Sequence, residues 1–395
     1  MIVQAKVVVT MDGAPIENGA VAISRDRIVD VGKLSDVAKA HAGEEVVDLG
    51  EQAVLPGLIN AHCHLDYTCL RGKIPRQKSF TDWIRAINAE KAKLSADDYV
   101  RSINEGFAET KRFGTTTMAN LTAFPELVSQ IDAPIRTWWF AELIDVRDPS
   151  RAAEIVDLAV GQLKSQENWG LAPHAPFTAS ANLYRRCEKI GPLLTTHLAE
   201  SREEISMFRD ADGPLYDFLK EIGRDMSDCG LGTPVEAFGE RANDGNRPYL
   251  LVHLNELADT DFALLKKCDV SVIHCPRSHA YFGHSPFQFR KLRELGFNVC
   301  LGTDSLASND DLSLFAEMRA LQEEFPDVSP ENIVEMVTVN PARALQHERS
   351  LGKIARGFAA DLIAVPVKSS TSIFEEIVGS KEPVSWLMVG GRNLG

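Results

Sequence analysis

Two histidines one residue apart, His62 and His64, close an apolar stretch that runs from Val54 to Ala61. Read as a strand, that stretch sends alternate side chains to opposite faces, so both imidazoles point the same way. Zinc takes a histidine nitrogen at about 2.0 Å and usually needs three or four protein ligands. The pair is therefore half of a metal site, and the rest must come from elsewhere in the chain.

Other apolar runs end in the same chemistry. The runs 193–197, 249–253, 270–274 and 298–304 close on His197, His253, His274 and Asp304. One histidine at a strand end is ordinarily structural. Repetition across several strands, with an aspartate added, points instead to a convergent site.

The elements that position these residues alternate strand-like runs with helical segments from about residue 55 to 345, for example helix 96–113 followed by the run 114–120. Counting strands that end near a polar residue gives about eight, at His62, Asn120, Glu142, His174, His197, His253, His274 and Asp304. Eight such units make an α/β fold of the (β/α)8 TIM-barrel kind, whose active site lies at the C-terminal strand ends. Short β-type runs before residue 55 and after 345 are expected to join in a small β-sandwich domain built from both termini. The expected division is 1–55, 56–345 and 346–395. The stretch 201–246 is too long for a simple connection, and Phe208, Leu215, Phe218 and Leu219 fall on helical spacing, so a helical excursion beside the site is expected.

Composition narrows the function classes. The chain has 395 residues, 44% hydrophobic and 25% charged, with a net charge of -14. No basic patch stands out, which argues against nucleic acid. The seven cysteines form no C-x-x-C pair and read as reduced thiols. The N-terminus alternates like a strand rather than a signal peptide, and no segment reaches the roughly 18 apolar residues of a membrane helix. A cytoplasmic protein is expected, without membrane contact.

Several motifs together carry a family likeness: Leu55-Pro56-Gly57-Leu58-Ile59-Asn60-Ala61-His62-Cys63-His64, Pro173-His174-Ala175-Pro176, Thr196-His197-Leu198-Ala199-Glu200, Val252-His253 and Gly302-Thr303-Asp304-Ser305. Asn340-Pro341-Ala342-Arg343-Ala344-Leu345 and the stretch from Gly352 to Leu362 extend it over nearly the whole chain. In these the chain resembles the amidohydrolase superfamily, in the branch holding guanine, S-adenosylhomocysteine and aminofutalosine deaminases and the triazine chlorohydrolases. The resemblance implies that His62, His64, His197 and Asp304 bind one divalent metal, zinc first and iron next. It also implies that Glu200 shuttles a proton, with His253 and Asp304 handling the proton of the attacking water. The expected reaction is hydrolytic deamination of an amino-substituted heterocycle, such as a purine or nucleoside, releasing ammonia. Alternatives are a chlorohydrolase or cyclic-amide hydrolase of the same fold, and a non-catalytic scaffold.

The fourth strand reads Trp169-Gly170-Leu171-Ala172-Pro173-His174, without the lysine that binuclear relatives carboxylate there, so one metal is expected and His174 is free for substrate. Trp83 falls where relatives that bind adenosine-like substrates place a tryptophan. Glu90 is a candidate for the ribose, with spacing that does not match cleanly. The stretch from Arg277 to His284, including His279 and Tyr281, reads equally as substrate contact, with His279 the chosen candidate, or as a packed loop. Relatives are often dimers or larger, so a homo-oligomer is a possibility.

Overall fold

The computed structural model describes residues 1–242 and 247–394. Eight parallel strands follow one another around the barrel: Leu58–Cys63, Thr115–Thr122, Arg136–Leu143, Trp169–Pro173, Leu194–Leu198, Tyr249–His253, Val270–His274 and Asn298–Leu301. Each of the eight strand ends expected from the sequence lies at or within three residues of one of these ends. The first and last strands meet where Cys63 bridges Asp304, and the Thr303 and Asp304 amides each donate to His62 O at 3.1 Å. Gly302 permits that closure, since a Cβ there would stand 2.8 Å from His62 O and 2.9 Å from His62 N.

The strands are buried on both faces, and the period of two sorts their side chains. Leu58, Met118, Ala141, Leu171, Leu251 and Val272 pack outward with Ile103, Phe107, Val156 and Leu183 of the surrounding helices. The alternate residues Ile59, Ala119, Phe140, Ala172, Leu250 and Ile273 pack together inside the barrel. The helix Ala96–Arg112 shows how the outer ring is specified. Its apolar stripe, Tyr99, Ile103 and Phe107, recurs every four residues, and Ser95 and Asp98 form a reciprocal capping box at its start.

Both ends of the chain form a second eight-stranded sheet, in which Leu362–Pro366 lies antiparallel to Gln52–Pro56 and pairs Ile363 with Leu55. Gly57 is the single residue between that sheet and the first barrel strand. The Arg136 guanidinium, donating from Nε to Asp361 Oδ2 at 2.5 Å, ties barrel to sheet. Between the fifth and sixth barrel strands the chain makes the expected helical excursion, Arg202–Asp210, Pro214–Glu221 and Pro234–Arg241. The end of that expected segment, residues 243–246, and residue 395 lie outside the described residues.

Candidate metal centre and substrate cavity

Four strand ends bring imidazoles and a carboxylate together at the C-terminal mouth of the barrel. The ligand atoms of His62, His64 and His197 lie within 4.8 Å of one another. His64 Nε2 stands 3.4 Å from His197 Nε2, and Asp304 Oδ1 lies 3.7 Å from His62 Nε2 and 4.0 Å from His64 Nε2. Neither ring nitrogen of the fully buried His62 has a hydrogen-bond partner among the described residues.

Proton positions follow from the surroundings. His197 Nδ1 lies 2.9 Å from the carbonyl oxygen of His174, which can only accept, so Nδ1 carries the proton and Nε2 keeps its lone pair toward the cluster. Burial, reinforced by His174 and His62, pushes His197 down to about 3. Burial together with His62 and His197 holds His64 well below its ordinary value. For Asp304, burial would raise the carboxyl, but the imidazoles of His62, His253 and His64 outweigh it and hold the group well below the usual carboxylate range. The donors are therefore two neutral imidazoles, a third with both nitrogens unbonded, and a carboxylate. Such a set fits a divalent cation: imidazole nitrogens, those of His62 without any partner among the described residues, and a carboxylate crowd one point.

Asp304 is itself held. Its Oδ2 accepts from Ser278 Oγ at 2.7 Å and from Ser308 Oγ at 3.2 Å, and its Oδ1 accepts from the Ser305 amide at 2.7 Å. Support of this kind orients a ligand and tunes its basicity.

Beside the cluster, Glu200 Oε1 lies 3.6 Å from His253 Nε2, with both side chains less than a tenth exposed. Burial first, then Asp304 and Glu204, pushes the Glu200 carboxyl well above its ordinary value. Burial likewise holds His253 well below its own, so it is a neutral imidazole. The loop that presents Glu200 is fastened by Glu204, whose two oxygens accept the Ala199 and Glu200 amides at 3.2 and 2.7 Å.

Backbone strain collects at the same mouth. Ala199, His253 and Asp304 have φ of +50°, +79° and +56°, the left-handed region that non-glycine residues rarely adopt. Each costs on the order of 1–3 kcal/mol and persists only where packing over-determines it. Here the turns aim side chains of the fifth, sixth and eighth strands at one point.

The cluster forms the floor of a cavity of about 270 Å³. Its walls are apolar on the excursion side, with Leu215, Phe218 and Leu219, and on the helix Phe80–Lys91, with Trp83, Ile84 and Ile87. His174 and Trp83, two of the expected substrate residues, both line it. The third, His279, does not. It sits on a helix, Pro276–Phe282, that turns its ring away so that Nε2 donates to Ser285 O at 2.8 Å. The expectation for His279 is corrected accordingly. Its neighbours also fit the packed reading: Arg277 pairs with Asp311 at 2.6 Å and Tyr281 donates to Ile74 O. Glu90 faces away from the cavity and pairs with Lys93 at 2.6 Å.

Sequence reasoning passed over several residues. Glu142, noted only as a strand end, lines the cavity with Oε1 at 3.8 Å from His64 Nδ1 and 3.9 Å from His174 Nε2. Ser278 and Ser308 on Asp304, and Lys91 and Arg147 on the cavity wall, carried no motif that would have marked them.

A closed parallel barrel with three imidazoles and a carboxylate at its mouth defines a metal-dependent hydrolase. The chain belongs to the amidohydrolase family, whose model matches residues 53–394. A 5-methylthioadenosine/S-adenosylhomocysteine deaminase of Syntrophobacter fumaroxidans is 30% identical over 405 residues, covering 97% of this chain and 86% of that protein. Among solved structures, the aminofutalosine deaminase of Helicobacter pylori in complex with methylthio-coformycin superposes with a TM-score of 0.88 at 20% identity, covering 100% of each chain. An adenosine deaminase from Xanthomonas campestris with bound zinc gives 0.79 at 22% identity, covering 99% of this chain and 92% of that one. Among the described residues, no helix is long and apolar enough to cross a membrane.

Proposed function

We propose that the protein is a zinc-dependent aminohydrolase that replaces the amino group of a heterocycle, a purine or its nucleoside, by a carbonyl and releases ammonia. The observation that carries this reading is the placing of Glu200 and His253 3.6 Å apart beside the metal-ligand cluster, where burial pushes the carboxyl well above its ordinary value and holds the imidazole well below its own. Two titratable groups pushed in opposite directions make an acid and a base available together near neutral pH.

His62, His64, His197 and Asp304 would hold a divalent cation, which when bound would supply a water that is nucleophilic near neutral pH. His253 and Asp304 are placed to take that water's proton. Glu200 gives its own to the ring nitrogen next to the attacked carbon, the proton taken by His253 and Asp304 passes to the amino group so that the carbon–nitrogen bond breaks with ammonia leaving, and the new hydroxyl returns a proton to Glu200 as it becomes the carbonyl. His174, its Nδ1 2.6 Å from Thr178 Oγ1, is fixed to meet the ring, and Trp83 walls it in. Zinc is favoured over iron by the bound zinc of the Xanthomonas campestris relative. The absence of lysine from the fourth strand, Trp169–Pro173, supports a single metal. A cytoplasmic location and the domain division 1–55, 56–345 and 346–395 go with the same reading.

The test is ammonia release by zinc-loaded protein from adenosine, S-adenosylhomocysteine, methylthioadenosine, aminofutalosine, guanine, cytosine and triazines, repeated with Glu200→Gln. The variant keeps its zinc and loses about 10² to 10⁴ in kcat, the worth of a positioned acid-base group. Near-normal turnover by the variant refutes the role of Glu200. Failure of the whole panel turns the reading toward cyclic-amide hydrolysis.

A further inference from the structure

The wall helix Phe80–Lys91 belongs to the connection after the first barrel strand, yet its start is held by the connection after the fifth, on the opposite side of the eight-stranded ring. The amides of Phe80, Thr81 and Asp82 come before the first bond inside the helix, from Trp83 N to Ser79 O at 3.2 Å. Amides in that position need partners from outside the helical ladder. Ser79 Oγ takes the Asp82 amide at 3.0 Å. The other two go to Glu203, whose Oε1 accepts from Phe80 N at 2.8 Å and whose Oε2 accepts from Thr81 N at 3.0 Å. The hydroxyl of the buried Thr81 donates to the same Oε2. A carboxylate also suits the positive end of a helix.

The chain leading to this helix, residues 71–78, is exposed except at Ile74, whose carbonyl accepts from Tyr281 Oη at 3.0 Å. At the far end Tyr99 Oη donates to Lys91 O at 3.2 Å, so the two ends are fastened independently. Between them Trp83 stacks on Phe80 with centroids 6.0 Å apart and meets Phe282 edge-on at 5.0 Å. The apolar face turned to the cavity, Phe80, Trp83, Ile84 and Ile87, therefore takes its position from where the helix start is held.

Glu203 lies three residues after Glu200, in the first turn of the helix Arg202–Asp210. Its neighbour Glu204 turns the other way and holds the Glu200 loop through the Ala199 and Glu200 amides. One helical turn thus fastens both the proton donor and the facing wall, but through different side chains.

We infer that Glu203 is a positioning residue, a latch that holds the wall helix across the barrel mouth so that Trp83 is in place before substrate arrives, and that it sets substrate affinity without entering the proton transfers. The inference rests on the deaminase reading only for what the cavity receives. A wall in place for a fraction of the time lowers the apparent affinity by that fraction, whereas a substrate bound beneath it reacts as before. Cutting the latch therefore raises KM and leaves kcat and its pH profile, which belong to Glu200 and His253.

The experiment compares the zinc-loaded chain with Glu203→Ala, Thr81→Val and the double variant. Hydrogen exchange is followed by peptide, and calorimetry measures binding of purine riboside, which lacks the 6-amino group and so releases no ammonia. In Glu203→Ala the segment 80–91 exchanges about tenfold or more faster while helices 96–112 and 202–210 keep their rates, as expected of a local opening. Purine riboside binds about tenfold more weakly, and KM for whichever amino-heterocycle is turned over rises by a similar factor with kcat and its pH profile unchanged. Thr81→Val keeps both amide bonds, shifts exchange and affinity less in the same direction, and adds nothing to Glu203→Ala. It decides the question alone if Glu203→Ala does not fold, since an isosteric loss of one bond to Glu203 should still loosen the helix. Unchanged exchange across 80–91, a fall in kcat with KM and affinity held, or additive effects of the two substitutions overturns the inference. If purine riboside does not bind the unaltered chain, the purine reading falls, and the exchange pattern still decides the role of Glu203.

Discussion

Replacing Ser278 by alanine should weaken the metal centre without touching any ligand. The Ser278 hydroxyl has one proton and gives it to Asp304 Oδ2 at 2.7 Å. Ser308 reaches the same oxygen at 3.2 Å, but its proton has competing acceptors in Ser305 O at 3.4 Å and in Ser278 Oγ at 2.9 Å. Ser278 is therefore the principal side-chain donor to that oxygen. A hydrogen bond to a charged acceptor is worth about 1.5–3 kcal/mol, and Ser308 can recover part of it by turning its proton to Asp304. A net loss of roughly 1.5 kcal/mol corresponds to about a tenfold drop in zinc affinity, at the lower end of the range for residues that support metal ligands. Ser308→Ala should cost less, because the bond removed is longer and shared. The assay is competition for zinc against a chromophoric chelator, with circular dichroism to check the fold. Equal affinities for the Ser278→Ala protein and the unaltered chain, or a larger loss from Ser308→Ala, would refute the argument that Asp304 is tuned through Ser278.

Gly302→Ala should push the last barrel strand off His62, because the added carbon meets backbone rather than a flexible tip. A lowered Tm together with reduced zinc content checks this. Glu317 is buried, and burial pushes it up to about 8 despite bonds from the Arg277 amide and Asn309. The folded chain then binds more protons than the unfolded one between roughly pH 4.5 and 8, so stability falls as pH rises through that window. Urea unfolding across it should show a shallower fall for Glu317→Gln, and an unchanged slope would reject the assignment. Removing metal with a chelator should lower Tm in a way that added zinc restores, as ligand linkage requires, and a Tm indifferent to zinc would count against the site.

The barrel was legible because its strand ends carry unusual residues. Runs closing on His197, His253, His274 and Asp304 marked both the strands and the mouth of the fold before any geometry was known. The helix Phe80–Lys91 was less readable. Glu90 and Lys91 are neighbours in sequence but lie about 100° apart around a helix, so phase alone decides which one faces the cavity. The segment after His274 was ambiguous because Arg277, His279 and Tyr281 suit a binding loop. Folding them into a short helix spends their polar groups on Asp311, Ser285 and Ile74 instead. Ser278 was invisible for a different reason: it meets Asp304 only because the seventh and eighth strands lie side by side.

The pairing of Gln52–Pro56 with Leu362–Pro366 has a consequence for the chain as it is made. The N-terminal strands leave the ribosome first, but one edge of the strand at 52–56 must wait for a partner about 300 residues downstream. At the usual rate of synthesis, about 5–20 residues per second, that wait is roughly 15 to 60 s. Through it an apolar edge, Ala53-Val54-Leu55, stands open to pairing with other chains. Aggregation of nascent chains truncated between residues 60 and 360 is therefore the folding hazard this topology creates. A chaperone acting during synthesis would be needed most in that interval.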